Sequence, residues 1–259
     1  MFHGKIIIFA SIISVKQENM NKYDSSINVL GSIPDYSSMI DFICESNGYA
    51  TSKCDSFAFR THKTFLRFNA AISVAILQFS SPDHKRLFLE ALSSDKFSIH
   101  EKLLILFWQL TYGNLLFRRI SDEVFMTAVY QGRFSLTNLD IESWLRHLKE
   151  TEKDELTWSE KTIKTSSSKC LTLLKKLELM DGRASKTIRH PIITSSLFTY
   201  FIRWALTICP DENTISNPYM RFSFMEKENL IINLKRVEHL KDWDLSQIGD
   251  SVTIYLKDR

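Results

Sequence analysis

Apolar positions recur at helical spacing along most of the chain. Met39, Ile40, Phe42 and Ile43 predict a short amphipathic helix from Asp35 to Asn47, with Gly48 as its stop. A longer helix is expected from Asp55 or Ser56 to about Phe79, carrying Phe57, Phe59, Phe65, Phe68, Ile72 and Ile76. Ser81-Pro82 reads as an N-cap followed by a first-turn proline, opening a helix that runs to about Leu92. Ser98 and Glu101 have capping-box spacing ahead of a segment from Leu103 to Leu110 that is apolar nearly all round, so it belongs at the centre of a bundle. Ser121 is read as the cap of a helix over 122–131 closed by Gly132, and Thr137 as the cap of one from Leu139 to about Lys153.

The stretch from Thr157 to Pro191 has a different character. Thr157 and Glu160 repeat the capping-box spacing, and Gly182 stands where the helix is expected to end. At about 100° per residue, Ile163, Cys170, Leu174 and Leu177 share one stripe, with Leu171 and Leu173 on its shoulders. The opposite face carries Lys161, Lys164, Thr165, Ser168, Lys169, Thr172, Lys175 and Lys176, and Arg183, Lys186 and Arg189 follow downstream. A helix of about 34 Å with one cationic, hydroxyl-rich side and a basic loop after it is what a winged-helix-like reader presents to phosphates. The same pattern also describes an ordinary solvated face. Thr187-Ile188 is strand-like, but no partner strand for a wing is evident.

Beyond Pro191, Leu197, Phe198, Phe201, Trp204 and Ile208 predict an apolar helix ended near Pro210. Met220 to Phe224 alternates like a strand, Glu226 to Leu240 reads as a helix, and two alternating runs flank Gly249-Asp250 as a hairpin. The expected fold is mainly α: a helical bundle with winged-helix-like modules and a small C-terminal β-hairpin. Its expected divisions are a tail over 1–25, a helical domain over 26–133, a basic module over 134–194 and an α/β cap over 195–259.

Composition narrows the chemistry. With 44% hydrophobic and 12% aromatic residues in 259, the chain can bury a large core. The 33 Lys+Arg against 30 Asp+Glu leave a formal charge of only +3, so any basic surface must come from segregation. Four scattered cysteines without a C-x-x-C pair fit buried thiols in a cytoplasmic protein. The apolar run from Ile6 to Ile13 is too short to span a bilayer, and Met20 is an alternative start. No phosphate-binding glycine loop, nucleophile elbow or H-E-x-x-H is present, and the seven histidines have no metal-ligand spacing. Neither a metal, a cofactor, a small-molecule substrate nor an enzymatic activity is expected. Asp242 and Asp244 read as turn residues, although carboxylates converging from distant positions would make a nuclease.

The order of S-F-A-F-R-T-H-K-T-F-L-R-F, a central helix pack, L-T-W-S-E-K-T-I-K-T-S-S-S-K-C-L-T-L-L-K-K-L-E-L-M-D-G, an aromatic-rich helix and W-D-L-S-Q-I-G-D-S-V-T-I-Y-L resembles the BrxA proteins of the BREX bacteriophage-defence system. The resemblance covers Ser26 to the C-terminus. Its most specific piece is W-S-E-K-T-I-K, where Trp158, Thr162 and Lys164 match the family's Trp-x-x-x-Thr-x-Lys segment. The family has been described as inner-membrane proteins, a label that the hydropathy of this chain does not support. The resemblance implies a non-enzymatic, mostly helical DNA-binding protein with a fold akin to the antitermination factor NusB, acting beside other BREX proteins.

The expected function is therefore binding of double-stranded DNA in the cytoplasm. Lys161, Lys164, Lys169, Lys175 and Lys176 would neutralise phosphates, Thr165 and Ser168 would hydrogen-bond them, and Arg183, Lys186 and Arg189 would act from the loop. Arg60, Lys63 and Arg67 form a second candidate contact. The alternatives are an adaptor that docks partners through aromatic helices around Trp108 and Trp204, and NusB-like RNA binding.

Overall fold

The segment that is apolar on every side becomes the axis around which the other helices pack. The structure, a computed structural model, describes residues 23–49, 61–152, 156–182 and 186–257. In chain order these form α1 (Ser26–Leu30), α2 (Tyr36–Ser46), α3 (His62–Ala75), α4 (Pro82–Ser93), α5 (Ile99–Gly113) and α6 (Leu115–Ile120). A π-helical turn over Ser121–Met126, then α7 (Thr127–Tyr130), β1 (Ser135–Leu136), α8 (Asn138–Thr151) and α9 (Glu160–Lys176) follow. The remainder is β2 (Met180–Asp181), β3 (Lys186–Ile188), α10 (Ser195–Ile208), α11 (Lys227–Leu234), β4 (Trp243–Ile248) and β5 (Ser251–Leu256). Helix α5 touches α3, α4, α6 and α10, and Leu103 to Leu110 are all buried. Its capping box forms in full: the Ser98 hydroxyl accepts the Glu101 amide while the Glu101 carboxylate takes the Ser98 N–H at 2.8 Å. One cluster of buried side chains runs from Tyr23 to Ile254.

Trp108 and Trp204 lie at 0% exposure in that cluster, their ring centroids 6.4 Å apart, and the Trp108 indole donates to the Phe222 carbonyl at 2.9 Å. They therefore offer no docking surface. Indoles of this size are worth more to the core than to a rim, and the buried N–H has its acceptor.

Local signals decide most helix ends. Asp35, Thr61, Ser81 and Thr194 each accept first-turn amides as N-caps, and Gly48 and Gly132 close helices at positive φ. Thr137 donates through its amide and hydroxyl to the Asp140 carboxylate, both at 2.7 Å. Ser121, read as a cap, is instead inside a continuous helix, because the buried Asn114 side chain accepts the Phe117 amide and starts the helix earlier. Residues Met220–Ser223 form a 3-10 turn rather than a strand. Asn217 turns the chain there, accepting the Tyr219 amide and donating to the Glu212 carbonyl, and both Met220 and Phe222 still reach the core. The helix expected to reach Leu240 stops at Leu234, whose carbonyl accepts the Trp243 indole N–H at 3.1 Å. The hairpin pairs Ile248 with Ser251 around Gly249-Asp250, as its turn residues predict.

The strand-like Thr187-Ile188 does have partners, both very short strands. Antiparallel order β1-β3-β2 places Ser135 opposite Thr187 on one edge and Met180 opposite Ile188 on the other. The sequence of elements is thus helix, strand, two helices, hairpin, with the strand before the helix pair closing a three-stranded sheet. Among the described residues no helix is long and apolar enough to cross a membrane. The apolar run from Ile6 and the alternative start at Met20 lie outside the described residues.

Candidate nucleic-acid interface

Helix α9 starts two residues later than its expected capping box. Ser159, not Thr157, is the N-cap and accepts the Thr162 amide, while Glu160 pairs with Arg146 at 3.1 Å. Arg146 also holds Glu142 on α8, and the Lys149 ammonium donates to the Trp158 carbonyl at 2.7 Å, so three side chains set the angle between α8 and α9. At its other end, the amides of Glu178 and Leu179 return to the carbonyls of Lys175 and Leu174, a Schellman closure with Glu178 at φ 59. Gly182 does not end the helix; at φ 94 it turns the hairpin.

The buried side of α9 carries Ile163, Cys170, Leu171, Leu173 and Leu174 against α8 and α1. Facing away are Lys161, Lys164, Thr165 and Ser168, all exposed, continued by Thr172 and Lys175. These six positions fall within an arc of about 100° and include no acid. Neither Lys161 nor Lys164 has an ion-pair partner among the described residues.

Other predicted residues are spent on the fold. The Thr165 hydroxyl donates to the Lys161 carbonyl and that of Thr172 to Ser168, both at 2.8 Å, so the expected phosphate donor Thr165 already uses its proton. Lys176 is not on the free face. Its ammonium donates to the Gly31 carbonyl at 3.2 Å and to that of Ile33, and lies 5.7 Å from the centroid of the Tyr36 ring. Lys169 sits half-buried on the same shoulder, where its carbonyl approaches Gly31 so closely that a Cβ there would lie 2.7 Å away.

Two cations meet at the root of the hairpin. Lys175 donates to the Gly182 carbonyl at 2.6 Å, and burial followed by the Lys175 charge pulls the Lys186 ammonium below its ordinary 10.5. Arg189 is exposed just after β3, its amide bound to the Leu179 carbonyl at 2.9 Å. Lys63 and Arg67 are exposed on α3, which stacks on α1 and so is one layer removed from α9. Arg60 and Arg183 lie outside the described residues. Among the described residues no group of three or more His, Cys, Asp or Glu is placed to hold a metal ion; Asp242 faces Arg203 and Asp244 pairs with Lys257.

Comparison with known proteins gives a family match. The model of the BrxA family matches residues 84–203, from the start of α4 into α10, so the resemblance to that family is shown over the central helices and the sheet. The match implies a protein associated with BREX defence. No curated protein and no solved structure matches the chain.

Proposed function

We propose that this chain, BrxA-like across its central span and so associated with BREX defence, is a non-enzymatic cytoplasmic protein that binds duplex DNA through a winged-helix module. In this reading α8 and α9 are the helix pair, α9 enters the major groove, and the β2–β3 hairpin is the wing. The observation that carries it is the acid-free row Lys161, Lys164, Ser168 and Lys175 on the outward side of α9, immediately before an antiparallel hairpin. A B-form major groove about 12 Å wide accepts a helix about 10–12 Å across, whereas the deep, narrow major groove of A-form RNA does not. That mismatch weighs against the RNA alternative that a NusB-like fold suggests. At the hairpin root the Lys175 charge bears on Lys186, a repulsion that a phosphate oxygen would relieve.

The row offers lysine ammoniums and a hydroxyl, without the bidentate Arg, Asn or Gln side chains that discriminate bases most strongly, so little sequence preference is expected. A salt titration of duplex affinity tests the reading. Each phosphate contact contributes roughly 0.9 to the slope of log affinity against log salt, so Lys161→Glu with Lys164→Glu should lower that slope by about 2 and weaken binding more than tenfold. Unchanged affinity in the double variant would remove this face from the interface.

A further inference from the structure

The C-terminal hairpin leaves one strand edge open. β4 pairs with β5 residue for residue, from Trp243 opposite Leu256 to Ile248 opposite Ser251, without a bulge. The far side of β5 is covered: the Ile215 amide donates to the Val252 carbonyl at 3.1 Å and the Ile254 amide to the Asn213 carbonyl at 2.8 Å. Antiparallel strands direct alternate residues to opposite neighbours, so Ser251, Thr253 and Tyr255 are the ones bonded to Ile248, Ser246 and Asp244. The Lys257 amide on the Asp242 carbonyl, at 3.0 Å, continues that alternation. The amides and carbonyls of Trp243, Leu245 and Gln247 therefore point away from β5, and among the described residues no backbone hydrogen bond reaches them.

Native sheets keep such edges from pairing with Lys, Pro, bulges or a covering segment. β4 reads W-D-L-S-Q-I, with neither Lys nor Pro. Its single charge, Asp244, is exposed and held by Lys257 at 2.7 Å. Ser246, Gln247 and Ile248 are exposed and Leu245 is half-buried. The nearest cation beside Gln247 is Lys235, which donates to the Gln247 side-chain oxygen at 2.6 Å.

We propose that β4 pairs with the β4 of a second copy, antiparallel about a two-fold axis at Leu245, making a four-stranded sheet in the order β5-β4-β4-β5. An isologous contact has to be self-complementary, and this edge is. With the axis there, Trp243 meets Gln247 of the second copy and each Leu245 meets the other. These are the residues with free backbone groups, so about six N–H···O=C bonds form. Asp244 then lies opposite Ser246 of the second copy, a carboxylate facing a hydroxyl donor, twice by symmetry. Sliding the pairing by two residues moves the axis to Asp244 and sets two carboxylates face to face, which fixes the register. A foreign strand would find the same hydrogen bonds, but the charge pattern of the edge matches β4 itself.

Sedimentation equilibrium of the intact chain without nucleic acid tests this, from about 1 to 100 µM, the range of small interfaces. The mass should climb from 30.2 kDa towards twice that value. Gln247→Pro deletes an outward N–H and spares the β4–β5 ladder, and Ser246→Asp places a carboxylate opposite each Asp244. Either should weaken association at least fivefold, whereas Ser251→Asp, one strand further from the edge, should leave it within twofold. Hydrogen exchange supplies a readout without variants: the Leu245 and Gln247 amides should gain protection as concentration rises, and the Ser246 amide, already bonded to β5, should not. Unchanged far-UV dichroism verifies that each variant folds. A monomer throughout, indifference to either β4 variant, equal weakening by Ser251→Asp, or Leu245 and Gln247 amides that exchange alike at both concentrations each overturns the proposal. With no nucleic acid present, the outcome bears on the pairing edge alone and leaves the duplex reading to its own salt titration.

Discussion

Replacing Lys176 by Met separates a cation that builds the fold from cations that meet a ligand. The substitution keeps an unbranched apolar stem over Tyr36 and deletes only the ammonium that the Gly31 and Ile33 carbonyls share. A hydrogen bond to a charged donor contributes about 1.5–3 kcal/mol. Against two such bonds stands the recovered cost of partly burying the ammonium, whose pKa lies below 10.5 first through desolvation and then through the Lys169 charge. The half-exposed site also lets water reach the carbonyls once the ammonium is gone. The net loss is therefore expected at about 1–3 kcal/mol, or roughly 2–4 °C in melting midpoint for each kcal/mol at this chain length. Denaturant unfolding should show the loss, and amide exchange should concentrate it in α1 and the turn after it. Duplex affinity at fixed salt should stay within twofold. The reasoning fails if Lys176→Met leaves stability intact and weakens duplex binding as much as Lys164→Met does, for then the ammonium serves phosphates and not carbonyls. Gly31→Ala probes the same joint from the other side: its Cβ would meet the Lys169 carbonyl at 2.7 Å, so α1 must move, at a cost of about 1–3 kcal/mol by denaturant titration.

Glu178→Gly should be neutral or stabilising by up to about 1 kcal/mol in thermal melts, since glycine adopts φ 59 without Cβ strain and the His100 contact it removes is on the surface. Stability should fall in acid through Asp140 and Glu101. Burial raises both carboxyls, but hydrogen bonds from Thr137 and Arg133 to the first, and from Thr194 and Ser98 to the second, outweigh it and hold them below 3.8 and 4.5. A depressed carboxyl stabilises above its unfolded pKa and loses that contribution as pH drops through its folded one, so Asp140→Asn should flatten the pH dependence of the denaturation midpoint below about 4. Burial pushes the Cys44 and Cys170 thiols up to about 11 and about 12, so maleimide at neutral pH should label neither in the native protein, as peptide mass spectrometry would reveal. Trp108→Ala should cost about 3–5 kcal/mol in chemical denaturation, from the cavity and the orphaned Phe222 carbonyl.

What the sequence determined alone is what neighbouring residues decide among themselves. The caps at Ser81 and Ser98, the glycine stops at Gly48 and Gly132, the all-round apolar α5 and the hairpin around Gly249-Asp250 all follow from interactions a few residues long. So does the separation of Lys161, Lys164 and Ser168 from Ile163 and Leu174, because helical periodicity makes a face before anything packs on it. Tertiary structure decided which part of that face stays in water. Lys164 and Lys176 look equivalent along the helix, yet α1, some 140 residues away in the chain, lies across the shoulder that holds Lys176 and draws its ammonium into two backbone carbonyls. Pairing of Ser135 with Thr187 likewise joins strands too short to carry a periodic signal, and Trp108 and Trp204 pass from candidate surfaces to core only when helices close around them. Periodicity states which side of an element is polar, but the neighbour that arrives from elsewhere in the chain determines whether a polar group there meets solvent, a ligand or a carbonyl.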